Sequence, residues 1–552
     1  MPRATLFDPA NSLVTWDEAQ NLADLTGLKE VELATFKPER HALHHVLIRV
    51  TAETHVPDGP QYADLGINLR SMAADVLKTG VLPHMPAITE QLKAFLDDAR
   101  ALAMRELDLV VRGPVVEDNP QGFLAKLFGT KAETPPVKSR EERALEACRD
   151  WDKKASALAG GDNAPVYRAL SRVVGSVLGQ RGALTLPQDV LADTIVKLVS
   201  NSAGSDLIGR LIDPIFRDTS EKLGHRRLPL QSEPVILNAK GASASGKSSI
   251  RNKQRQIAEN IGIDWQDFAI ISPDYWRKIL IDYNGLGDDY KYAAMLTGQE
   301  LAIIDHKLDR LMADKAAREG VPHMLVDRFR FDSFETGKTG ASESKLLTRF
   351  GARVYMFFLV TPPEETVTRA WQRGIETGRY KAADDLLFHN IEAYEGMPDL
   401  FLSWALSGDR WVHYEFLDNA VPKGAAPRSI AFGKNGHLVI ADLGKFCDIV
   451  RYSKVNVDAE QPEDVLAERL SPEDAMAFTR RLFGELPKVD VLRTGSNEIV
   501  ATSKNGVLRV NAERLGEDIP ASAFGPFEQM SGGKFLSDDG FETIGENIRG
   551  TG

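Results

Sequence analysis

Near the middle of the chain, residues 241–248 read Gly-Ala-Ser-Ala-Ser-Gly-Lys-Ser, which satisfies the pattern G-x-x-x-x-G-K-[ST]. Such a loop does its work only between a strand and a helix. The short apolar run Pro234–Asn238 (PVILN) predicts a buried strand before it, and Ser248–Ile261 predicts a helix after it. Gly241 and Gly246 permit backbone angles and close approach that a Cβ forbids. The backbone of Gly241, Ala242, Ser243, Ala244, Ser245, Gly246, Lys247, Ser248 and Ser249 can then wrap phosphates at the positive end of the following helix. Lys247 is expected to bridge the β- and γ-phosphates, and the Ser248 hydroxyl to reach Mg²⁺. The expected cofactors are therefore ATP or GTP with Mg²⁺.

The texture around this loop is α/β. Ala269–Ser272 (AIIS), His323–Val326 (HMLV) and Arg353–Val360 (RVYMFFLV) read as further strands, and Tyr290–Glu319 as a long helix. Strands alternating with helices imply crossover units and a parallel sheet covered on both faces. The expected fold class is thus an α/β P-loop core, preceded by a mainly helical domain and followed by a small α+β region.

The flanking regions carry less information. Residues 1–60 are mixed, with His41–Thr51 (HALHHVLIRVT) expected as a strand because of its branched residues. Residues 61–228 read as five or more helices. Ile88–Leu109 keeps apolar residues three and four apart, and Leu186–Ser200 opens with Pro187 and Asp189 as a helix start prefers. A stretch at Arg112–Arg140 holds Pro114, Pro120, Pro135 and Pro136 and reads as a linker. Residues 229–420 form the expected core domain and residues 421–552 the α+β region. There, two Asn-Gly turns, Asn435-Gly436 and Asn505-Gly506, signal hairpins. Their flanks are alike (KNGHLVIADL and KNGVLRVNAERL), which admits a duplication, but two unrelated hairpins are the simpler expectation. The tail beyond about Met530 is rich in Gly and Ser.

In a parallel sheet the carboxyl ends of the strands open onto one crevice. Asp274 follows the second strand in Ser272-Pro273-Asp274-Tyr275-Trp276-Arg277 and is a candidate to accept or orient the proton of an attacking hydroxyl. Its alternative role is a helix cap. Asp327 ends the next strand in Asp327-Arg328-Phe329-Arg330, where a carboxylate can hold Mg²⁺ or contact an acceptor. Its alternative is an ion pair with a nearby arginine. Arg277, Asp327 and Arg330 are the candidate acceptor contacts, and Ser248 with Asp327 the candidate metal ligands. After the Arg353–Val360 strand come Arg369, Arg373, Arg379 and Lys381, with Gly374 and Gly378 between the arginines. A basic, flexible segment at this point is expected to act as a lid that neutralises charge in phosphoryl transfer, rather than as a solvated basic helix.

From about Val235 to Asp399, roughly a third of the chain, the residues resemble the zeta-toxin family of P-loop kinases, in GASASGKSS, IISPDYWR, LVDRFR and RGIETGRY. The resemblance implies transfer of a phosphate to a hydroxyl of a nucleotide-type small molecule, a UDP-amino sugar or, as in a related effector kinase, NAD. It implies Lys247 as the phosphate lysine, Asp274 as the base, and Arg373 and Arg379 as lid arginines. It also implies toxicity and restraint by a helical antitoxin or chaperone, a role the helical N-terminal region can fill in cis. Where the family has Glu-Gly-Thr after the third strand, this chain has Asp327-Arg328-Phe329.

Bulk properties set limits on other readings. A formal net charge of −12 argues against a protein that coats nucleic acid through a broad basic surface. That disfavours a polynucleotide 5′-kinase, and the strand-end Asp-Glu of a hydrolytic switch protein is not evident. No stretch approaches the ~18 uncharged apolar residues of a membrane span. The start of the chain has no signal-peptide core. A cytoplasmic protein, or an effector secreted without a cleaved signal, is expected. The two cysteines, Cys148 and Cys447, match no metal spacing and read as reduced, buried thiols.

Overall fold

In the computed structural model of the chain, the described residues are 4–61, 63–112, 138–158, 161, 163–327, 347–422, 424–466, 470–515, 519–536 and 543–547. Most of the Pro-rich stretch expected at Arg112–Arg140, and the residues Arg328, Phe329 and Arg330, lie outside them. Among the described residues no helix is long and apolar enough to cross a membrane.

The chain folds as two compact units that cut it differently from the expected segments. The first is Met1–Leu47 with Ser71–Gly224, and the second is Ile48–Arg70 with His225–Gly552. Residues 1–60 do not form a segment of their own, and residues 421–552 are not separate from the core that precedes them.

The first unit is helical. The helix Trp16–Thr26 opens on a capping box in which Thr15 and Glu18 satisfy each other's backbone N–H groups, and Ser139 with Glu142 repeats the device at Arg140–Ala157. The long helix Met85–Arg112 contains the expected Ile88–Leu109. Its buried Glu106 accepts from Trp151 Nε1 at 2.8 Å, Lys154 Nζ at 3.1 Å and Tyr167 OH at 3.3 Å, so this buried acid is satisfied three ways. The helix Gln188–Val199 begins after Pro187 and continues through a π-helical turn, Ser200–Gly204, into Ser205–Lys222.

The segment His41–Thr51, expected as a strand, lies instead within the 16-residue helix Pro38–Glu53. Almost every residue of it is buried. A helix enclosed on all faces shows no 3.6-residue alternation of polar and apolar residues, and its branched residues then imitate a strand.

The second unit is built on a 13-stranded mixed sheet. Its first part is parallel, with the order β2-β3-β1-β4-β5 across Phe268–Ile271 (β2), His323–Asp327 (β3), Val235–Lys240 (β1), Arg353–Val360 (β4) and Trp411–Asp418 (β5). These are the four expected strands plus a fifth. β1 and β2 are buried throughout, as strands covered on both faces must be. Residues 48–70 belong to this unit by contact as well as by clustering. Trp276 Nε1 donates to Thr51 Oγ1 at 3.2 Å, and Asp58 accepts from Arg255 at 2.6 Å and from Trp265 Nε1 at 3.1 Å.

Beyond β5 the same sheet continues through β6 (Arg428–Lys434), β7 (His437–Ile440), β8 (Lys488–Leu492), β9 (Glu498–Lys504) and β10 (Val507–Val510). The two Asn-Gly hairpins are not unrelated. In β5–β6 four pairs run from His413↔Lys434 to Phe416↔Ala431, and the register then slips at Leu417. In β8–β9 four pairs run from Lys488↔Lys504 to Val491↔Ala501, and it slips at Leu492. Asn435 N donates to Val412 O at 3.1 Å, and Asn505 N to Pro487 O at 2.9 Å. Helices Ala383–Ala405 and Ala477–Glu485 precede the two copies. A helix–strand–hairpin module is thus laid down twice, and β8 joins β7 in parallel as β5 joins β4.

Both thiols are pushed up by burial, Cys148 to about 11 and Cys447 to about 12, although Cys148 is only half-buried.

The third pair of each run has a buried acid on its first strand, Glu415 and Asp490. Burial disfavours charge at both, but their partners differ. Asp490 meets His437 Nε2 at 2.9 Å, Lys488 Nζ at 3.0 Å and Thr502 Oγ1 at 2.7 Å, and its pKa ends below the ordinary value. Among the described residues the donors to Glu415 are all neutral, Ser429 Oγ, Ile544 N and Gly545 N, and burial pushes it up to about 7. The folded chain therefore holds this proton more tightly than the unfolded chain. The resulting stability is full below about pH 4.5 and is lost as pH rises through about 7. We expect the melting temperature of the wild type to fall between pH 5 and pH 8 by more than that of Glu415→Gln, as read by thermal denaturation at matched ionic strength.

Candidate active site

β1 has β3 on one side and β4 on the other, so the crevice at its carboxyl end lies where the chain's connections part to opposite sides of the sheet. The G-x-x-x-x-G-K-S loop occupies that position. It needs unusual backbone angles, with φ of 155° at Gly241, 64° at Ala244 and 93° at Gly246. A Cβ on Gly246 would collide with Asn419 Nδ2, and one on Gly241 would stand 2.9 Å from Leu359 O. The loop is held from the neighbouring strand ends. Thr361, just after β4, donates its hydroxyl to Ser245 O at 3.0 Å, and Asn419, just after β5, donates Nδ2 to the same oxygen at 2.7 Å. Lys247 Nζ curls back onto the carbonyls of Gly241 (3.0 Å) and Ala242 (2.9 Å). The loop then enters a 3₁₀ turn, Lys247–Ile250, and the helix Arg251–Asn260.

Asp274 lies in the turn Pro273–Trp276 that follows β2, anchored by the fully buried Trp276. One carboxylate oxygen accepts from Arg277 Nε at 2.9 Å, and the other pairs with Arg379 Nη2. Burial would raise this carboxyl, but Arg379, Arg277 and Arg373 together hold it far below the usual carboxylate range. Arg277 was expected as an acceptor contact. Its Nη1 donates to Ala294 O (2.6 Å) and Thr297 Oγ1 (2.8 Å), so its guanidinium also ties the Asp274 turn to the next helix.

The arginines expected to form the lid straddle the end of the helix Pro363–Thr377. Gly378, with φ 71°, ends it in the left-handed conformation and packs against the Tyr283 ring, where a Cβ would stand 2.6 Å from Cε2. Arg373 Nε donates to Arg379 O at 3.2 Å, so the first arginine braces the backbone of the second.

Asp327 is the last residue of β3, in register with Ala239 of β1, and pairs with Arg251 Nη2 at 3.5 Å. Burial pushes Lys247 down to about 8, against the attraction of Asp327 and Asp274 and with the repulsion of Arg373 and Arg379. Among the described residues no cluster of three or more acidic, His or Cys side chains could hold a metal. Mg²⁺ in nucleotide sites commonly takes one or two protein oxygens and completes its shell with phosphate and water. A hydroxyl at Ser248 and a strand-end carboxylate at Asp327 are hard oxygen donors of that kind. Arg330 lies outside the described residues.

Several residues at the site escape a reading of the sequence. Thr361 and Asn419 sit immediately past strand ends, where the strand-end rule points, but they belong to no motif. Arg251 turns its guanidinium to Asp327 and to Tyr275 OH (3.2 Å). His389, which no motif marks, lies against Lys381 of the expected basic segment, and burial pushes that lysine down to about 8. Arg70 comes from far upstream, and only the fold brings it here, with Nη1 donating to Tyr275 O at 3.2 Å.

No protein-family model matches the chain, and no curated protein or solved structure does either. The fold itself is α/β, with a mixed sheet that is parallel around the loop.

Gly246→Ala would force a left-handed alanine into the space of the Asn419 amide. We expect a loss of ~2 kcal/mol or more in urea-induced unfolding of the second unit, the sum of the left-handed penalty and a displaced hydrogen bond.

Proposed function

We propose that the second unit is an ATP- or GTP-dependent, Mg²⁺-assisted small-molecule kinase whose acceptor is a hydroxyl of a nucleotide-type molecule. The observation that carries this reading is the meeting of three groups from distant parts of the chain. A G-x-x-x-x-G-K-S loop with its lysine turned inward faces a strand-end carboxylate, Asp274, which is itself held by Arg379 from 105 residues away. The resemblance to zeta-toxin kinases fits the same residues.

Phosphoryl transfer needs positioning and charge neutralisation more than covalent chemistry from the protein. Loop N–H groups and Lys247 would bind the β- and γ-phosphates. Mg²⁺, held through Ser248 and Asp327, would offset charge on the phosphate oxygens. Lys247, Arg277, Arg373, Arg379 and Lys381 outnumber the three carboxylates, Asp274, Asp327 and Asp385, whose fields they share, which suits a polyanionic ligand.

Asp274 paired with two arginines is a weak base. A triphosphate offers Arg379 a stronger partner, and release of that pair raises the basicity of Asp274 as the acceptor hydroxyl arrives. Asp274 then orients the hydroxyl and accepts its proton as the hydroxyl oxygen bonds the γ-phosphorus and the bond from that phosphorus to the departing nucleoside diphosphate breaks. Incubation with γ-labelled ATP and separate pools of UDP-sugars, NAD and oligonucleotides should place label on one small-molecule pool. Label appearing only as free phosphate would sink the kinase reading. Lys247→Ala should abolish transfer, and Asp274→Asn should retain ATP binding while slowing transfer by ~10²-fold.

The depressed Lys247 supplies a pH test. Bound phosphates would return its pKa upward, so above pH 8 nucleotide binding should take up a proton and weaken as pH rises. Calorimetry in buffers of different ionisation enthalpy should register that proton in the wild type, and Lys247→Met should abolish it.

A further inference from the structure

We propose that Arg70, Lys278 and Tyr283 form a second anion subsite, beside the phosphate loop, that holds a phosphate group of the acceptor. Calling it the acceptor's side rests on the kinase reading; the anion subsite itself rests on the following geometry.

Arg70 lies on the helix Asp64–Val76, whose Gly66 allows it to lie against Tyr275, since a Cβ there would stand 2.5 Å from the tyrosine ring. Its guanidinium is half-buried. Lys278 follows Asp274 by one helical turn, with its ammonium 5.4 Å from the centroid of the Tyr283 ring. Among the described residues neither cation has a carboxylate partner. The nearby acid, Asp274, is already engaged by Arg277 and Arg379. Both cations are pushed below their ordinary values, first by burial, and Lys278 also by Arg70 and Arg379. Like charges brought together without a counter-charge raise the energy of the folded chain, and an anion placed among them removes that cost.

Tyr283 supplies the independent observation. Its hydroxyl is shut off from solvent and has no hydrogen-bond partner among the described residues, whereas buried polar groups in folded proteins ordinarily find one. It lies within the fields of Arg277, Arg379 and Arg70, and its ring is held against Gly378. A guanidinium, an ammonium and a phenol are three separate donors. They suit the three terminal oxygens of a phosphate better than the two of a carboxylate. The subsite adjoins the donor's, since Asp274 and Arg379 act on both Lys247 and Tyr283, but Arg70 and Lys278 are not among the charges that act most on Lys247. A segment far upstream of the phosphate loop thereby completes the acceptor side of the site.

The test uses the full chain loaded with a non-hydrolysable ATP analogue, so that the loop is filled, and titrates inorganic phosphate by calorimetry, with acetate as the carboxylate control. The loaded wild type should bind phosphate and not acetate. Arg70→Gln and Lys278→Gln should each weaken phosphate binding ~10-fold, the scale of one charge-assisted hydrogen bond. Tyr283→Phe should weaken it less, Arg70→Lys should restore most of it, and the analogue's own affinity should stay within about 2-fold in all four. Lys278 is exposed, so its substitution does not endanger the fold. Phosphate binding that is absent from the loaded wild type, or unchanged in both Gln variants, overturns the subsite. If the analogue does not bind the wild type, the kinase reading falls instead. The subsite is then judged by phosphate titration of Lys247→Ala with and without Arg70→Gln, where loss with Arg70→Gln supports it and no change overturns it.

Discussion

The backbone carbonyl of Ser245 is the point on which the site depends. It accepts from Thr361, at the end of β4, and from Asn419, at the end of β5. A glycine-rich loop has the largest conformational entropy to lose on ordering. Two side-chain donors aimed at one oxygen fix it without adding a Cβ that would clash. Because both donors lie just past adjacent parallel strands, the loop's shape is tied to the register of the sheet, and β5 is as much part of the site as β1. Arg369 reinforces this from behind by donating to Asn419 O at 2.8 Å.

The electrostatics follow from that placement. Once the loop is pinned at the carboxyl edge of the sheet, the residues after β2 and β3 must share the crevice with it. Asp274 and Asp327 arrive there by topology alone. Each is met by arginines, Arg277 and Arg379 in one case and Arg251 in the other. The carboxylates keep the cations from repelling one another outright, and the arginines around Asp274 hold its carboxyl ionised. Arg70 and Lys278 lie outside this balance.

Much of this was legible in the residues themselves. The loop, the strands on either side of it and Asp274 follow from apolar runs ended by polar residues at strand ends, and the structure has strands or turns at each. What was not legible depends on contacts between distant positions. His41–Thr51 read as a strand because a fully enclosed helix loses its polar face. Nor did the sequence show that Ala294 and Thr297 would take the Nη1 donors of Arg277. Arg70 carried no signal at all: it is one arginine in a helical stretch, made interesting only by the Tyr275 carbonyl it reaches and by its charge acting on Lys278. The paired hairpins fell between these cases. Their Asn-Gly turns were plain, but the common register slip after four residue pairs is a property of pairing that no single segment displays.

The repeated module bears on how such a sheet ends. Each copy presents, on its last strand, an edge that accepts the next copy in parallel, as β7 accepts β8. Nothing in that geometry distinguishes a successor in the same chain from one in another molecule, so an unguarded last copy would template open-ended polymerisation. At β10 the edge is met by β11, only two residues long (Glu528–Gln529), and the Arg509–Glu528 ion pair at 2.9 Å lies beside it. A strand that short, with charge on the rim, serves as a terminator: it uses up the pairing groups of the edge while offering too little length for another strand to continue.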